Sequence, residues 1–281
     1  GGSPARARHP QRTAALTAGS VPESTRPLAL VTGASAGIGQ EFCRQLAAAG
    51  YDLMVVARDA GRLEALRREL EQQAISVDVF PADLTRDDDL TRLVGLVAAS
   101  PRLELLVNNA GFGSRGTLAD ASPSQQEAML RLHAIAPMRL SQAVLPVLLQ
   151  RGRGAIINVS SVASFAYSAG NVNYCATKAY LTNFSEGLAA ELRGTGVRVQ
   201  ALCPGFTHSE FHERMKADIK LIPAWMWLSA RQVVRSSLRN ARRRGPVVCI
   251  PGLRYKLMVF VLRHLPRSFI GWASRHRSTG M

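Results

Sequence analysis

Cysteine is scarce in this chain, and the four present fall into no pattern. Cys43, Cys175, Cys203 and Cys249 stand far apart in apolar surroundings, without the close pairs that a structural zinc or a disulfide framework needs. They read as buried thiols of a reducing, cytoplasmic compartment, and no metal site is expected. Long hydrophobic runs are missing as well, since nothing approaches the ~20 apolar residues that span a bilayer. Internal repeats are absent, which leaves one globular domain with tails as the reading of 281 residues that are 47% hydrophobic. Acidic residues vanish from the last quarter. Between Ile219 and Met281 there are thirteen Lys or Arg and no Asp or Glu, so the net charge of +15 leaves only +2 for everything before. A surplus of this kind attracts acidic polymers nonspecifically, and no nucleic-acid motif accompanies it. Nucleic acid is the weakest of the partners considered.

Residues 1–26 are rich in Gly, Pro, Ser, Thr and Arg and have no apolar periodicity, so they read as a disordered leader. From about residue 28 strand-like and helix-like stretches alternate, which points to an α/β fold with a parallel sheet. Leu28 to Thr32 reads as a buried strand, and Gly33-Ala34-Ser35-Ala36-Gly37-Ile38-Gly39 follows it ahead of a helical pattern from Gln40. Strand, glycine turn, helix is the order that lets backbone N–H groups and a helix N-terminus hold a pyrophosphate. Gly33, Ser35, Ala36, Gly37, Ile38 and Gly39 are therefore candidate cofactor residues, against the plainer reading of glycines that only close a tight turn.

The second strand, Asp52 to Ala57, ends without an acid and is followed at once by Arg58. A carboxylate in that place would suit the ribose 2′-hydroxyl of NAD, whereas a guanidinium suits the 2′-phosphate of NADP. Arg58 thus favours NADP over NAD, against the plainer reading of a solvated charge at a helix start. A helix over 60–73 and a third strand, Ser76 to Phe80, lead to Asp83-Leu84, where an adenine would rest. Asp83 either accepts from the adenine amino group or caps the following helix. The fourth strand, Leu103 to Val107, runs into Asn108-Asn109-Ala110-Gly111, whose carboxamides can brace neighbouring strands and line a cofactor crevice.

A long helix is expected from Ser122-Pro123 through Leu149, with His133 on the way, and a fifth strand over 154–160 ends at Ser161. Thirteen residues later Tyr174-Cys175-Ala176-Thr177-Lys178 places a phenol and an ammonium on one face of a helix. A tyrosine with a reference pKa near ~10 is a poor acid–base catalyst at neutral pH, and a nearby positive charge favours its phenolate. Tyr174 and Lys178 are a candidate proton-transfer pair.

Thr32 to Gly39, Asn108 to Gly111, Ser161, Tyr174, Lys178 and Pro204-Gly205 together resemble the short-chain dehydrogenase/reductase family over about residues 27–250. The resemblance implies a single doubly wound domain with a seven-stranded parallel sheet, a nicotinamide cofactor and carbonyl–alcohol interconversion. It makes Tyr174 the general acid/base, Lys178 both a ribose ligand and the group that lowers the phenol's pKa, and Ser161 the donor to the substrate oxygen. It implies a homodimer or homotetramer built through the long helices. It also makes Pro204-Gly205-Phe206-Thr207-His208-Ser209 the loop over the nicotinamide, with Thr207 and Ser209 holding the carboxamide. His133 departs from the pattern, because it stands where the family supplies an Asn to a proton relay. An imidazole can donate and accept, yet titrates near ~6.5. His133 is either a relay member or a packed helix residue.

The resemblance places a substrate-covering segment over 206–228, where Phe211, Met215, Ile222, Trp225, Met226 and Trp227 imply either a hydrophobic carbonyl or alcohol substrate or the packing of a lid against the body. An amphipathic helix over 229–243 and a last strand over 247–250 complete the expected domain. Residues 251–281 form a basic extension in which Leu257, Phe260 and Trp272 alternate with Arg254, Lys256 and Arg263. It suits either the surface of an anionic membrane or packing against the body. A nicotinamide-binding sensor without catalysis is the alternative function, opposed by the intact Ser161, Tyr174 and Lys178.

Overall fold

The computed structural model describes residues 25–114, 116–208 and 223–264. Seven strands make one sheet: β1 (Leu28–Thr32), β2 (Asp52–Ala57), β3 (Val77–Pro81), β4 (Leu103–Asn108), β5 (Gly154–Val159), β6 (Val197–Leu202) and, after a separate two-stranded ribbon, β9 (Val248–Cys249). Their spatial order is β3-β2-β1-β4-β5-β6-β9, and every adjacent pair is parallel. The central strands are continuous apolar runs because both faces of a parallel sheet are covered by helices; all five residues of β1 are buried.

Among the described residues the α-helices are α1 (Gly37–Ala47), α2 (Ala60–Leu70), α3 (Asp87–Ala98), α4 (Pro123–Leu130), α5 (Ala136–Arg151), α6 (Val172–Glu191), α7 (Ala230–Arg242) and α8 (Leu253–His264). One core layer joins Phe42 and Leu46 of α1, Leu63 and Leu66 of α2, Val233 of α7 and Tyr255 of α8 to one face of the sheet. The other joins Leu90 and Leu93 of α3, Leu140 and Val144 of α5 and Leu188 of α6 to the opposite face. Fully burying a side chain of this size stabilises the fold by about 1.5–3 kcal/mol.

The order in which the chain adds strands reverses between β1 and β4, and ligands of such folds bind at the carboxyl ends of the strands at this switch point. The segment expected as one helix from Ser122 to Leu149 is interrupted by a π turn over Arg131–Ile135. The whole stretch Pro123–Arg151 is the one among the described residues long and apolar enough to cross a membrane. Its inner face, with Met129, Leu140, Val144 and Leu148 buried, is part of the core. The ribbon pairs β7 (Thr207–His208) with β8 (Leu228–Ser229), and Ser229 caps α7 in a reciprocal arrangement with Gln232.

Candidate active site

At the end of β1 the chain turns through Gly33 at φ +66° and enters α1 at Gly37, φ +56°. Both are left-handed backbone conformations that suit glycine. Space imposes a second constraint: a Cβ on Gly39 would lie 2.2 Å from the Gly33 oxygen and 2.4 Å from Asn109 Nδ2. Asn109 Nδ2 donates to the carbonyls of Thr32 at 2.9 Å and Gly33 at 3.2 Å, while Thr32 Oγ1 accepts from the amides of Asn109 and Ala110, each at 3.0 Å. The glycine turn and the end of β4 are thereby locked together. The N-cap of α1, Ala36, offers no side-chain cap, and the first turn holds no acidic residue. An uncapped N-terminus beside a turn that tolerates no Cβ fits the pyrophosphate of a dinucleotide. Ser35, Ala36, Gly37 and Ile38 are half-buried around it.

Arg58 is exposed immediately after β2. The next residue, Asp59, is an acid, but its carboxylate accepts from the Arg62 amide at 3.0 Å and caps α2. Asp83 does not cap α3, whose N-cap is Arg86. Its Oδ1 instead accepts from both the amide and the hydroxyl of Thr85, at 3.0 and 2.7 Å, in a tight local turn, and Leu84 beside it is buried.

α6 brings Tyr174 and Lys178, both buried, against the end of β5. Tyr174 is hydrogen-bonded to Ser161, and the Lys178 nitrogen lies 5.7 Å from the centre of the Tyr174 ring. Ser161 Oγ accepts from the Ala163 amide at 3.1 Å, which leaves its hydroxyl hydrogen for an oxygen acceptor. Burial pushes the Tyr174 phenol up to about 12, only partly offset by the Ser161 hydrogen bond. Burial likewise brings Lys178 down to about 8. The balance is the reverse of the expected one, because desolvation of the phenolate dominates and Ser161 supplies what lowering there is.

His133 faces this cluster from the π turn, its ring 5.9 Å from that of Tyr174. The Phe112 amide donates to Nε2 at 3.2 Å, and Nδ1 lies 3.0 Å from Thr177 Oγ1, which donates to the Tyr174 carbonyl at 3.0 Å. An amide can only donate, so Nε2 is the acceptor and the imidazole proton sits on Nδ1. Burial and the charge of Lys178 hold the imidazole well below its usual 6.5. Titration of His133 near neutral pH is therefore not what the fold provides: the ring is neutral and ties α6 to the end of β4. Gly111 completes the junction, since a Cβ there would meet His133 Nε2 at 2.7 Å.

The turn after β6 is held on several sides. The Pro204 carbonyl accepts from the Val162 amide at 3.0 Å, the Phe206 carbonyl accepts from the Leu228 amide at 2.8 Å, and Thr207 Oγ1 donates to the Gly205 carbonyl at 3.0 Å. Ser209, and the expected substrate-covering residues Phe211, Met215 and Ile222, lie outside the described residues. Trp225, Met226 and Trp227 are described, and Trp227 stacks on His208 with ring centres 4.6 Å apart. Sequence reasoning overlooked Thr32, Thr177 and Asn158. Thr177 carried a signal, since it stands three residues after Tyr174 on the same helical face. Asn158 bridges Asn108 Nδ2 at 2.8 Å to Ser185 Oγ at 2.9 Å, a buried link that its strand neighbours do not announce.

A glycine turn without room for a Cβ at the switch point, with a Ser–Tyr–Lys cluster beside it, defines an oxidoreductase that uses a nicotinamide dinucleotide. The family model described as short chain dehydrogenase matches residues 27–220, and the chain belongs to the short-chain dehydrogenase/reductase family. It is 37% identical over 227 residues to a short chain dehydrogenase of Pseudocercospora fijiensis, covering 79% of this chain and 73% of the relative. A short-chain dehydrogenase from Sphingobium yanoikuyae, solved in complex with NADPH, superimposes with a TM-score of 0.77 at 33% identity, over 90% of this chain and 94% of that one. A bulky-bulky ketone specific alcohol dehydrogenase from Comamonas testosteroni does so with a TM-score of 0.74 at 30% identity, over 92% and 96%.

Proposed function

We propose that the protein is an NADP-dependent reductase that interconverts a hydrophobic ketone and its secondary alcohol. The observation that carries this reading is the buried Tyr174 hydrogen-bonded to Ser161 beside Lys178, next to the locked glycine turn. A nicotinamide held in this site would supply or take up the hydride at the carbonyl carbon. Ser161 donates its hydroxyl hydrogen to the carbonyl oxygen and orients it toward Tyr174. Tyr174, with its phenol raised to about 12, is fully protonated at neutral pH, the form needed to give a proton to the developing alkoxide. Lys178, charged below about 8, stabilises the phenolate left behind and contacts the ribose. Gly33, Ser35, Ala36, Gly37, Ile38 and Gly39 hold the pyrophosphate. Asp83 and Leu84 border the adenine, Asn109, Ala110 and Gly111 the middle of the cofactor, and Pro204, Gly205 and Thr207 with Ser209 the nicotinamide.

Preference for NADP rests on exposed Arg58 together with the engagement of Asp59 in capping α2. The NADPH held by the Sphingobium yanoikuyae relative supports it. A hydrophobic substrate is supported by Phe206, Trp225 and Trp227 near the turn after β6 and by the bulky ketones of the Comamonas testosteroni enzyme. Exposed Leu130, Ile135 and Leu149 on α4, the π turn and α5, and Tyr180 on α6, suit a homodimer or homotetramer through those helices. α8 exposes an apolar stripe flanked by basic residues, which suits peripheral attachment to an anionic membrane. The four buried free thiols fit a reducing cytoplasmic setting. The test is to follow NADPH and NADH absorbance with ketones of increasing apolar size. Oxidation of NADPH that grows with substrate size supports the reading; a protein that binds the dinucleotide but turns over no ketone or alcohol would be a sensor.

A further inference from the structure

Tyr255 lies on α8, 49 residues beyond Phe206, in a part of the chain where no family motif is legible, yet among the described residues it is the largest fully buried side chain, at 1% exposure. Its hydroxyl accepts from the Phe206 amide at 3.0 Å and donates to the Met226 carbonyl at 2.6 Å. Its ring covers Gly205 so closely that a Cβ there would lie 2.0 Å from Tyr255 Cζ. The neighbouring Arg254 donates from Nη2 to the Trp227 carbonyl at 2.9 Å. The chain leaves the nicotinamide turn at Phe206–His208 and returns at Met226–Ser229, and α8 therefore grips both ends.

We propose that Tyr255 is a positioning residue for the nicotinamide half of the cofactor, acting through the Pro204–Thr207 turn. Three supports hold that turn on three sides. Val162, next to Ser161, takes the Pro204 carbonyl. Leu228 takes the Phe206 carbonyl. Tyr255 takes the Phe206 amide and fills the space that Gly205 leaves open. Val162 and Leu228 hold the turn through carbonyls and Thr207 Oγ1 holds the Gly205 carbonyl from within it, so the hydroxyl of Tyr255 fixes the Gly205–Phe206 peptide from its N–H side. That peptide leads directly into Thr207, and a tilt there displaces the nicotinamide while the adenine half, bound by β1, β2 and the glycine turn, stays where it is. Gly205 is thus explained by its partner on α8 rather than by backbone freedom. The inference rests on the nicotinamide assignment made above.

The experiment is Tyr255→Phe, which keeps the ring against Gly205 and removes only the hydroxyl. Binding of NADPH and of its fragment 2′-phospho-ADP-ribose, which lacks the nicotinamide, is measured by calorimetry for wild type and variant. Losing a buried hydrogen bond of this kind predicts that NADPH binds about 5- to 20-fold more weakly, with the fragment unchanged. A merely structural role would weaken both ligands together or neither, and either result overturns the proposal. A wild type that binds neither ligand overturns the cofactor reading itself, and the proposal with it. Should Tyr255→Phe fail to fold, Arg254→Met, which frees the Trp227 carbonyl on the same stem, is required to show the same selective loss; equal binding of NADPH by that variant rejects the proposal.

Discussion

Lys178 Nζ donates to the backbone carbonyl of Val159 at 2.9 Å. The contact ties α6 to the last residue of β5 and gives the ammonium one fixed partner in surroundings that strip it of water. Burial then lowers its pKa from the ordinary 10.5 to about 8. A lysine depressed in the folded state costs stability wherever it is charged in both states, below about pH 8. Between about 8 and 10.5 the folded protein gives up its proton first, so stability rises with pH; above that window no cost remains.

Lys178→Met removes this titration. Relative to the variant, wild type should gain up to about 3 kcal/mol between pH 8 and pH 10.5, the value of a shift of this size. Denaturant unfolding of both proteins across that range is the measurement. Parallel curves would show that Lys178 is not desolvated in solution.

Tyr174→Phe should reduce turnover by about 10²- to 10⁴-fold while cofactor affinity stays unchanged, since the ring still packs beside His133 and only the transferable proton is lost. The raised phenol adds a directional consequence. In wild type, alcohol oxidation needs the phenolate and should accelerate as pH rises from neutrality, whereas ketone reduction should not. A variant that turns over normally would remove Tyr174 from the proton transfer.

His133→Asn tests whether the imidazole titrates in function. With Phe112 N–H and Thr177 Oγ1 occupying its two nitrogens, the pH–rate profiles of variant and wild type should run parallel from about pH 6 to pH 8. Unfolding should instead come earlier, by about 1–3 kcal/mol, because the shorter side chain cannot satisfy both partners. An acid limb present in wild type and absent from the variant would restore the relay role.

The strands and the glycine turn were legible because they follow local rules. An apolar run such as Leu28–Val31 has no stable alternative to burial in a sheet, and Gly33, Gly37 and Gly39 sit where only a turn into a helix uses them. The π turn at His133 was not legible, since one extra residue in Arg131–Ile135 leaves the apolar pattern of the helix undisturbed. Ribbon strands of two residues, Thr207–His208 and Leu228–Ser229, are too short to show alternation. The direction of the Tyr174 shift was misjudged from spacing alone. Proximity of a lysine can be read from Y-x-x-x-K, but desolvation belongs to the packed site and decides the balance. Tyr255 was hidden for the same reason, as its partners Phe206 and Met226 are distant in sequence.

Arg58→Asp should move the ratio of kcat/KM values for NADPH and NADH toward NADH by about 10- to 100-fold, the worth of one charge-assisted contact to a 2′-phosphate. Asp59 should not substitute for it, because its carboxylate is spent on the Arg62 amide at 3.0 Å. Kinetics with both cofactors at saturating ketone decide the matter. An unchanged ratio would assign Arg58 to solvent.

On α8 the inward face, Tyr255 and Val259, belongs to the body, while Leu253 is 82% exposed, Leu257 63%, Phe260 60% and Val261 45%. Lys256, Arg263 and His264 are exposed around that stripe, and Arg263 also lies over the Phe165 ring at 4.8 Å, a few residues after Ser161. Apolar groups that enter an interface and cations that stay at the headgroups bind anionic lipid, each basic residue adding about 1 kcal/mol near the surface. The full chain should therefore sediment with vesicles containing phosphatidylserine and not with pure phosphatidylcholine, less so as salt is raised. Leu257→Glu with Phe260→Glu should abolish sedimentation while NADPH binding persists, because neither side chain contributes to the core that holds Tyr255. If wild type stays in the supernatant with both kinds of vesicle, the membrane reading fails. The same double variant then decides the other use of the face: a fall in oligomer size on gel filtration would assign the stripe to contact between subunits.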